Sequence, residues 1–292
     1  MGIVAGRRVP EGCRVKTRFE LLLFSTDPAF IHQAAAAGVD GITVDWERNG
    51  KPARQAGADT QINRDTLEDL RRVRASTDAQ VICRINSYGA TTSEEVEQAI
   101  DAGAHEVILP MVRSVEEVEA VLAQAGGRCG IGIMVETIAA TRICRDLARL
   151  PLSRVYVGLN DLAIERGTPN IFSAVADGTV ERAREAFRAP FGFAGLTLPD
   201  AGFPIPCRFL IGEMARLGCR FSFLRRSFHR DVAGRDLSVE IPRLRAAVED
   251  AQRQPRDDLA RNRADLEAAI RAWPGALPRV TGPLLPHGQP AR

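Results

Sequence analysis

Eight times along this chain a short apolar run is followed by a segment of helical period. The runs are FELLLFS (19–25), GITVDW (41–46), VICRIN (81–86), EVILPM (106–111), GIGIMVE (130–136), RVYVGLN (154–160), FGFAGLTL (191–198) and RFSFLR (220–225). The segments between them carry helix punctuation. Asp27 and Pro28 open the first and Gly38 stops it; Thr92 or Ser93 opens another that ends at Gly103; Ser114 opens a third that ends at Gly126. The runs are continuously apolar rather than alternating, the pattern of parallel strands covered on both faces. Strict strand–helix alternation implies a parallel sheet, and eight units imply an α/β fold closed as a (β/α)8 barrel of the TIM type. A doubly wound open sheet needs fewer strands and a glycine-rich first turn, which FSTDPAF (24–30) does not supply.

The chain divides into an N-terminal extension (1–18), the barrel (19–251) and a C-terminal helix with a Pro/Gly-rich tail (252–292). A helix outside a complete barrel must bury Leu259, Leu266 and Ile270 somewhere, and they are expected to be buried against another subunit. With a net charge of +2 there is no basic field to suggest nucleic acid or an anionic membrane surface as a partner. The N-terminus lacks the apolar stretch of a signal peptide, and LLLF is too short to cross a bilayer. Six cysteines without a CxxC pair read as reduced thiols, so a cytoplasmic protein is expected.

Barrel enzymes place their chemistry at the C-terminal ends of the strands. The polar residues expected there are Asp45, Glu47 and Arg48; Arg84, Asn86 and Ser87; Glu136; Asn160 and Asp161; Thr197; and Arg225 and Arg226. Glu136 ends the run GIMVE, and Asp161 ends VYVGLND on the next strand. Neighbouring carboxylates repel unless a cation or a proton is shared. Oxygen-only ligation with room for water suits Mg2+ or Mn2+. Taken singly, each acid could instead cap the following helix or pair with an arginine. GGRCGIG (126–132) leads into a strand rather than a helix and reads as a turn, not a phosphate loop.

The segments VDGITVDWE, CRIN, AIDAGAHEVILPMVRSVEEVEAV, GIMVET and VGLNDLA, within residues 38–165, together resemble the HpcH/HpaI aldolase and citrate lyase family. The resemblance implies that Glu136 and Asp161 bind Mg2+ or a similar divalent ion. It implies that Arg84 holds the carboxylate or 2-oxo oxygen of the substrate, and that Asp45 and Glu47 support the water shell of the metal. There are departures. The aldolases of the family carry a histidine where Arg48 stands and tend to carry a glutamine where Met134 stands, and FLRRSFHRD departs from the usual sequence after the last strand. The exchanged C-terminal helix of the family oligomers suggests a homo-oligomer, a trimer or hexamer.

The expected activity is therefore a metal-dependent aldolase or lyase that makes or breaks a C–C bond next to a 2-oxo acid such as pyruvate or oxaloacetate. The metal and Arg84 would stabilise an enolate. A citrate-lyase-like or citrate-synthase-like enzyme acting on a thioester or polycarboxylate is the alternative, favoured by the missing histidine; a catalytically silent barrel used as a binding subunit is another. A Schiff-base aldolase needs a lysine in the barrel mouth, and Lys16 and Lys51, the only lysines, fall outside the strand ends. Arg48, Arg225 and Arg226 could hold a further anion, with Asn160 and Thr197 completing the substrate contacts. Arg48 cannot take a proton, so a water oriented by Glu47, or His229, would carry it.

Overall fold

The computed structural model describes residues 18–48, 65–273 and 275. Lys16, Lys51, the N-terminal extension and the Pro/Gly-rich tail lie outside the described residues, apart from Arg18 and Gly275.

The strands are β1 (Glu20–Phe24), β2 (Gly41–Asp45), β3 (Gln80–Arg84), β4 (Glu106–Leu109), β5 (Gly130–Val135), β6 (Arg154–Val157), β7 (Phe191–Phe193), β8 (Gly195–Leu196) and β9 (Phe221–Leu224). All pair in parallel, in the order β7-β6-β5-β4-β3-β2-β1-β9-β8. The eight expected runs become nine strands because FGFAGL breaks at Ala194, whose φ of 51° is left-handed. The piece before the break pairs with β6 and the piece after it with β9, so the sheet forms a nearly closed barrel. A left-handed alanine costs about 1–2 kcal/mol. Its carbonyl is rewarded with two donors, the Tyr156 hydroxyl from the barrel interior and the Ser222 hydroxyl from β9.

Period 2 along each strand separates two cores. Leu22, Ile82, Ile108, Met134, Tyr156, Phe221 and Phe223 fill the barrel interior. The alternate residues, such as Leu21, Leu23, Val81 and Cys83, pack outward against the helices. Burial on both faces is why the strands lack polar alternation. The capping signals act as expected: Asp27 accepts from the amides of Ala29 and Phe30, Ser114 from that of Glu117, and Gly38, Gly103 and Gly126 all have positive φ. One start differs, since Thr91 rather than Thr92 or Ser93 stands at the N-cap of its helix.

The N-terminal end of the barrel is closed by charge. Glu20, Gln80, Glu106 and Arg154 are the first residues of β1, β3, β4 and β6. Arg154 Nε lies 2.7 Å from both Glu106 carboxylate oxygens, and its other nitrogens reach Glu20 and Gln80. Gly132 makes room for this plug: a Cβ there would stand 2.8 Å from Glu106 Oε1 and 2.9 Å from Arg154 Cγ. Removing one partner of a buried pair leaves the other unpaired, at a cost of about 3–5 kcal/mol. Arg154→Met is therefore expected to destabilise by that order in a urea melt, and Arg154→Met with Glu106→Gln by less. A double variant as unstable as the sum of both singles would refute the pairing.

After the barrel come two long helices, Leu237–Arg253 and Arg256–Ala272. The second packs on its own chain, against the helix Cys207–Arg216. Leu266 and Ile270 are fully buried there without a neighbour, Asn262 donates to the Phe209 carbonyl, and Arg263 pairs with buried Glu213 at 2.7 Å. The expectation that these side chains need another subunit thus fails for Leu266 and Ile270, because the barrel itself supplies the apolar partner. Leu259 is half-buried. Among the described residues no helix is long and apolar enough to cross a membrane, and Cys83, Cys129, Cys144, Cys207 and Cys219 are unpaired.

Candidate active site

The C-terminal ends of β2 and β3 are in register, so Asp45 stands beside Arg84. Both point to the barrel mouth, and the two side chains form a fork: Nε donates to Oδ1 at 2.8 Å and Nη2 to Oδ2 at 2.7 Å. The remaining nitrogen, Nη1, lies 3.4 Å from Glu47 Oε2 and 3.7 Å from Met134 Sδ. The guanidinium sits over the Phe24 ring, 5.1 Å from its centre. Asp45 and Glu47 are fully buried, and their negative charge holds Arg84 well above its ordinary pKa despite burial, which pulls the other way.

The acids are themselves braced. The Glu47 amide donates to Asp45 Oδ1 at 3.2 Å, and the Asp45 amide donates to Asp65 Oδ2 at 2.8 Å. Burial, reinforced by the charge of Asp45, pushes the Asp65 carboxyl up to about 6. Asn86 accepts from the Arg48 amide at 2.7 Å and is pinned by Glu95 through two bonds of 2.8 Å.

Glu136 follows β5 directly. It accepts from the Met111 amide at 2.9 Å, and Met111 has a φ of 54°. Glu136 also lies flat on Gly158: a Cβ there would come within 2.1 Å of Glu136 Oε2. The following helix, Leu159–Glu165, places Asp161 in its first turn and buries it. The Glu136 carboxyl is pushed up to about 8 by burial first, then by the charges of Asp161 and Glu47, with Arg84 opposing. Glu136, Asp161, Glu47 and Arg84 therefore share one electrostatic neighbourhood. If Glu136 is a ligand to a divalent cation, Gly158→Ala is expected to displace its carboxylate and to weaken Mn2+ binding by about 10- to 100-fold, as disturbing a ligand's support commonly does. Titration calorimetry checks this, and unchanged affinity would mean that Glu136 is not a ligand.

The other expected contact residues are spread around the mouth. The Arg48 side chain is exposed and Asn160 half-buried. Thr197 is buried, and its hydroxyl donates to Asp231 Oδ2 at 2.6 Å. Arg225 and Arg226 follow β9, with Arg226 exposed. The His229 Nε2 lies 2.9 Å from the Phe24 carbonyl, and its ring rests 5.0 Å from that of Phe30. Asp65, Glu95, the Met111 amide and Gly158 escaped the sequence reading. None ends a strand in an acidic or basic side chain, so no pattern marked them.

The fold is shared with solved proteins. The citrate synthase SbnG is 19% identical over 75% of this chain and 91% of its own, with a TM-score of 0.55. Tryptophan synthase from M. tuberculosis is 15% identical over 82% of this chain and 94% of its own, with a TM-score of 0.53. No curated protein sequence matches the chain. Residues 18–169, just over half the chain, match the description HpcH/HpaI aldolase/citrate lyase, and this span holds Asp45, Glu47, Arg84, Glu136 and Asp161. The chain belongs to the HpcH/HpaI aldolase/citrate lyase family.

Proposed function

We propose that this member of a lyase-type family is a divalent-metal-dependent lyase or aldolase, acting on the C–C bond adjacent to a 2-oxo acid. The observation that carries the reading is the burial of Glu136, seated against Gly158, in the same electrostatic neighbourhood as buried Asp161 and Glu47. Four buried carboxylates, Asp45, Glu47, Glu136 and Asp161, stand at a mouth where Arg84 is the cation forked to Asp45. Such an excess of buried negative charge fits a bound divalent cation. Among the described residues no group of three His, Cys, Asp or Glu side chains gathers at ligating spacing. Glu136 and Asp161 would thus supply two oxygen ligands, with water and substrate oxygens completing the shell, as Mg2+ and Mn2+ accept.

When bound, the cation would polarise the carboxylate and ketone oxygens of the substrate and lower the barrier to removing a proton or a carbon fragment from C3, whose bonding electrons pass to the ketone oxygen. The chain supplies the rest. Asp45 grips Arg84 through two of its nitrogens, so the guanidinium is held still and Nη1 is presented to the mouth. That donor can meet the negative charge that grows on the 2-oxo oxygen as the enolate forms. Glu47, within 3.4 Å of the same nitrogen, would orient a water that carries the proton. Arg48, exposed at the end of the β2 segment, can hold an anion but cannot act as a base. This last point favours a second reading, a citrate-synthase-like enzyme for polycarboxylates. Cytoplasmic location and a homo-oligomer belong to the proposal, and the latter now rests on family resemblance, since Leu266 and Ile270 are buried within the chain.

The test is proton exchange. With Mg2+ or Mn2+, the protein is expected to exchange the methyl protons of pyruvate for deuterium, followed by NMR. Exchange that persists unchanged in chelator would overturn metal dependence. Absence of exchange with pyruvate, 2-oxobutyrate and oxaloacetate would reject the 2-oxo acid reading.

A further inference from the structure

Arg225 is the first residue beyond β9. It lies one register step past the Leu23–Leu224 pair, level with Phe24, and Phe24 is the ring beneath Arg84. It also shares the parity of Phe221 and Phe223, which fill the barrel interior. By register Arg225 stands at the mouth end of β9, across Phe24 from Arg84, and its guanidinium turns toward the 199–206 loop.

Its surroundings are built around it. A Cβ on Gly195 would stand 2.4 Å from Arg225 Cβ, and a Cβ on Gly202 would stand 2.9 Å from Arg225 Nη2. Two glycines on the strand and loop above thus make room for the arginine. Yet among the described residues Nε and Nη2 are buried with no hydrogen-bond partner, and so is the hydroxyl of Ser227, two residues on. The nearby acid, Asp231, is already engaged: Oδ2 accepts from Thr197, and Oδ1 lies 3.4 Å from Arg230 Nε. Burial lowers the basicity of Arg225, with Asp231 only partly offsetting it. A buried cation without an acceptor is costly unless a ligand supplies the acceptor. Arg84, forked by Asp45, shows how this chain satisfies an arginine when the partner is its own.

We propose that Arg225, with Ser227, forms a second anion subsite in the mouth, beneath the 199–206 loop, which takes a terminal oxyanion of the substrate. On the proposed function, on which this inference rests, Arg84 holds the 2-oxo acid end and Arg225 the distal carboxylate of a dicarboxylic 2-oxo acid. The enclosed nitrogens imply that the loop shifts as the anion seats. Its tip, Phe203, is 64% exposed, while Ile205 anchors the end of the loop in the core, so the tip is the part that can move. A phosphate would satisfy the same donors, and the test separates the two.

Calorimetric titration of the Mg2+-loaded protein compares two matched pairs, oxaloacetate with 2-oxobutyrate and 2-oxoglutarate with 2-oxopentanoate. In at least one pair the dicarboxylate is expected to bind about tenfold or more tightly than its partner, as befits hydrogen bonds to a charged group. Arg225→Met is expected to bring that ratio to about one, and Ser227→Ala to lower it in part. The unliganded Arg225→Met protein is expected to melt no lower than the wild type, whereas a purely structural arginine would leave it less stable. If the oxo acids bind without preference, or if Arg225→Met keeps the preference, the subsite is overturned while the proposed function stands. If no oxo acid binds but inorganic phosphate raises the melting temperature of the wild type and not of Arg225→Met, the proposed function falls and the subsite is a phosphate site. If neither oxo acids nor phosphate distinguish the two proteins, the inference is wrong.

Discussion

Glu136→Gln combined with Asp161→Asn is expected to abolish metal-dependent proton exchange, lowering it by about a thousandfold or more, the scale of losing several kcal/mol of electrostatic stabilisation. The fold should survive, because both replacements keep shape and remove a repulsion. The metal-free wild type makes a companion prediction through pH. Its Glu136 titrates at about 8 rather than at the ordinary 4.5, chiefly because it is buried and then because Asp161 and Glu47 are near. A carboxyl whose folded value is raised binds more protons folded than unfolded. Its contribution to stability is fully present below about 4.5 and is lost as pH rises through about 8. The metal-free protein should therefore melt at progressively lower temperature between pH 5 and pH 8, and Mn2+ should reverse the loss. Cation binding at pH 7 must displace the Glu136 proton, so apparent affinity should climb by up to about tenfold per pH unit and flatten above about 8. The double variant should show neither slope. An apparent affinity for Mn2+ that is independent of pH in the wild type would separate the cation from Glu136.

The second large effect concerns Arg84. Arg84→Met removes the donor aimed at the developing negative charge and is expected to lower the exchange rate by about 100- to 1000-fold, as for other preorganised donors. Arg84→Lys keeps the charge but cannot make the two-point grip on Asp45, so most of that loss should persist. Asp45 acts through Arg84. Asp45→Asn is expected to cost about tenfold, and the pair Asp45→Asn with Arg84→Met should cost little more than Arg84→Met alone, because contacting residues are not additive. The readout that separates this from general damage is the split of constants: kcat should fall with Asp45→Asn while Mn2+ affinity stays put. Full additivity of the two substitutions would show that Asp45 does something other than hold Arg84.

Sequence alone carried the barrel. Eight apolar runs joined by capped helices leave few ways to bury both faces of a parallel sheet. The same pattern placed Glu136 after the fifth run and Asp161 just past the sixth, so their adjacency could be read before any coordinates. The broken strand was not legible, since nothing in FGFAGL says that Ala194 adopts φ 51°. That choice depends on Tyr156 and Ser222, which donate to its carbonyl from elsewhere in the barrel.

The tail helix shows the same division. Its apolar stripe was visible as Leu259, Leu266 and Ile270, but amphipathicity states only that a face must be covered, not by what. The surface that covers it, on the helix Cys207–Arg216, is defined only once the barrel has closed. At the mouth, the sequence determined which side chains would arrive at the strand ends, because the strand period and the end of each apolar run are local properties. Tertiary structure decided their charge and partners. Glu136 is raised because three other elements bring Asp161, Glu47 and the Met111 amide to it. Arg84 and Arg225 are both arginines one step from the end of an apolar run. Only the packing gave the first a carboxylate fork and left two nitrogens of the second without an acceptor among the described residues. Hydrogen bonding and desolvation act over a few ångströms in space, and the residues that supply them here lie far apart in the chain.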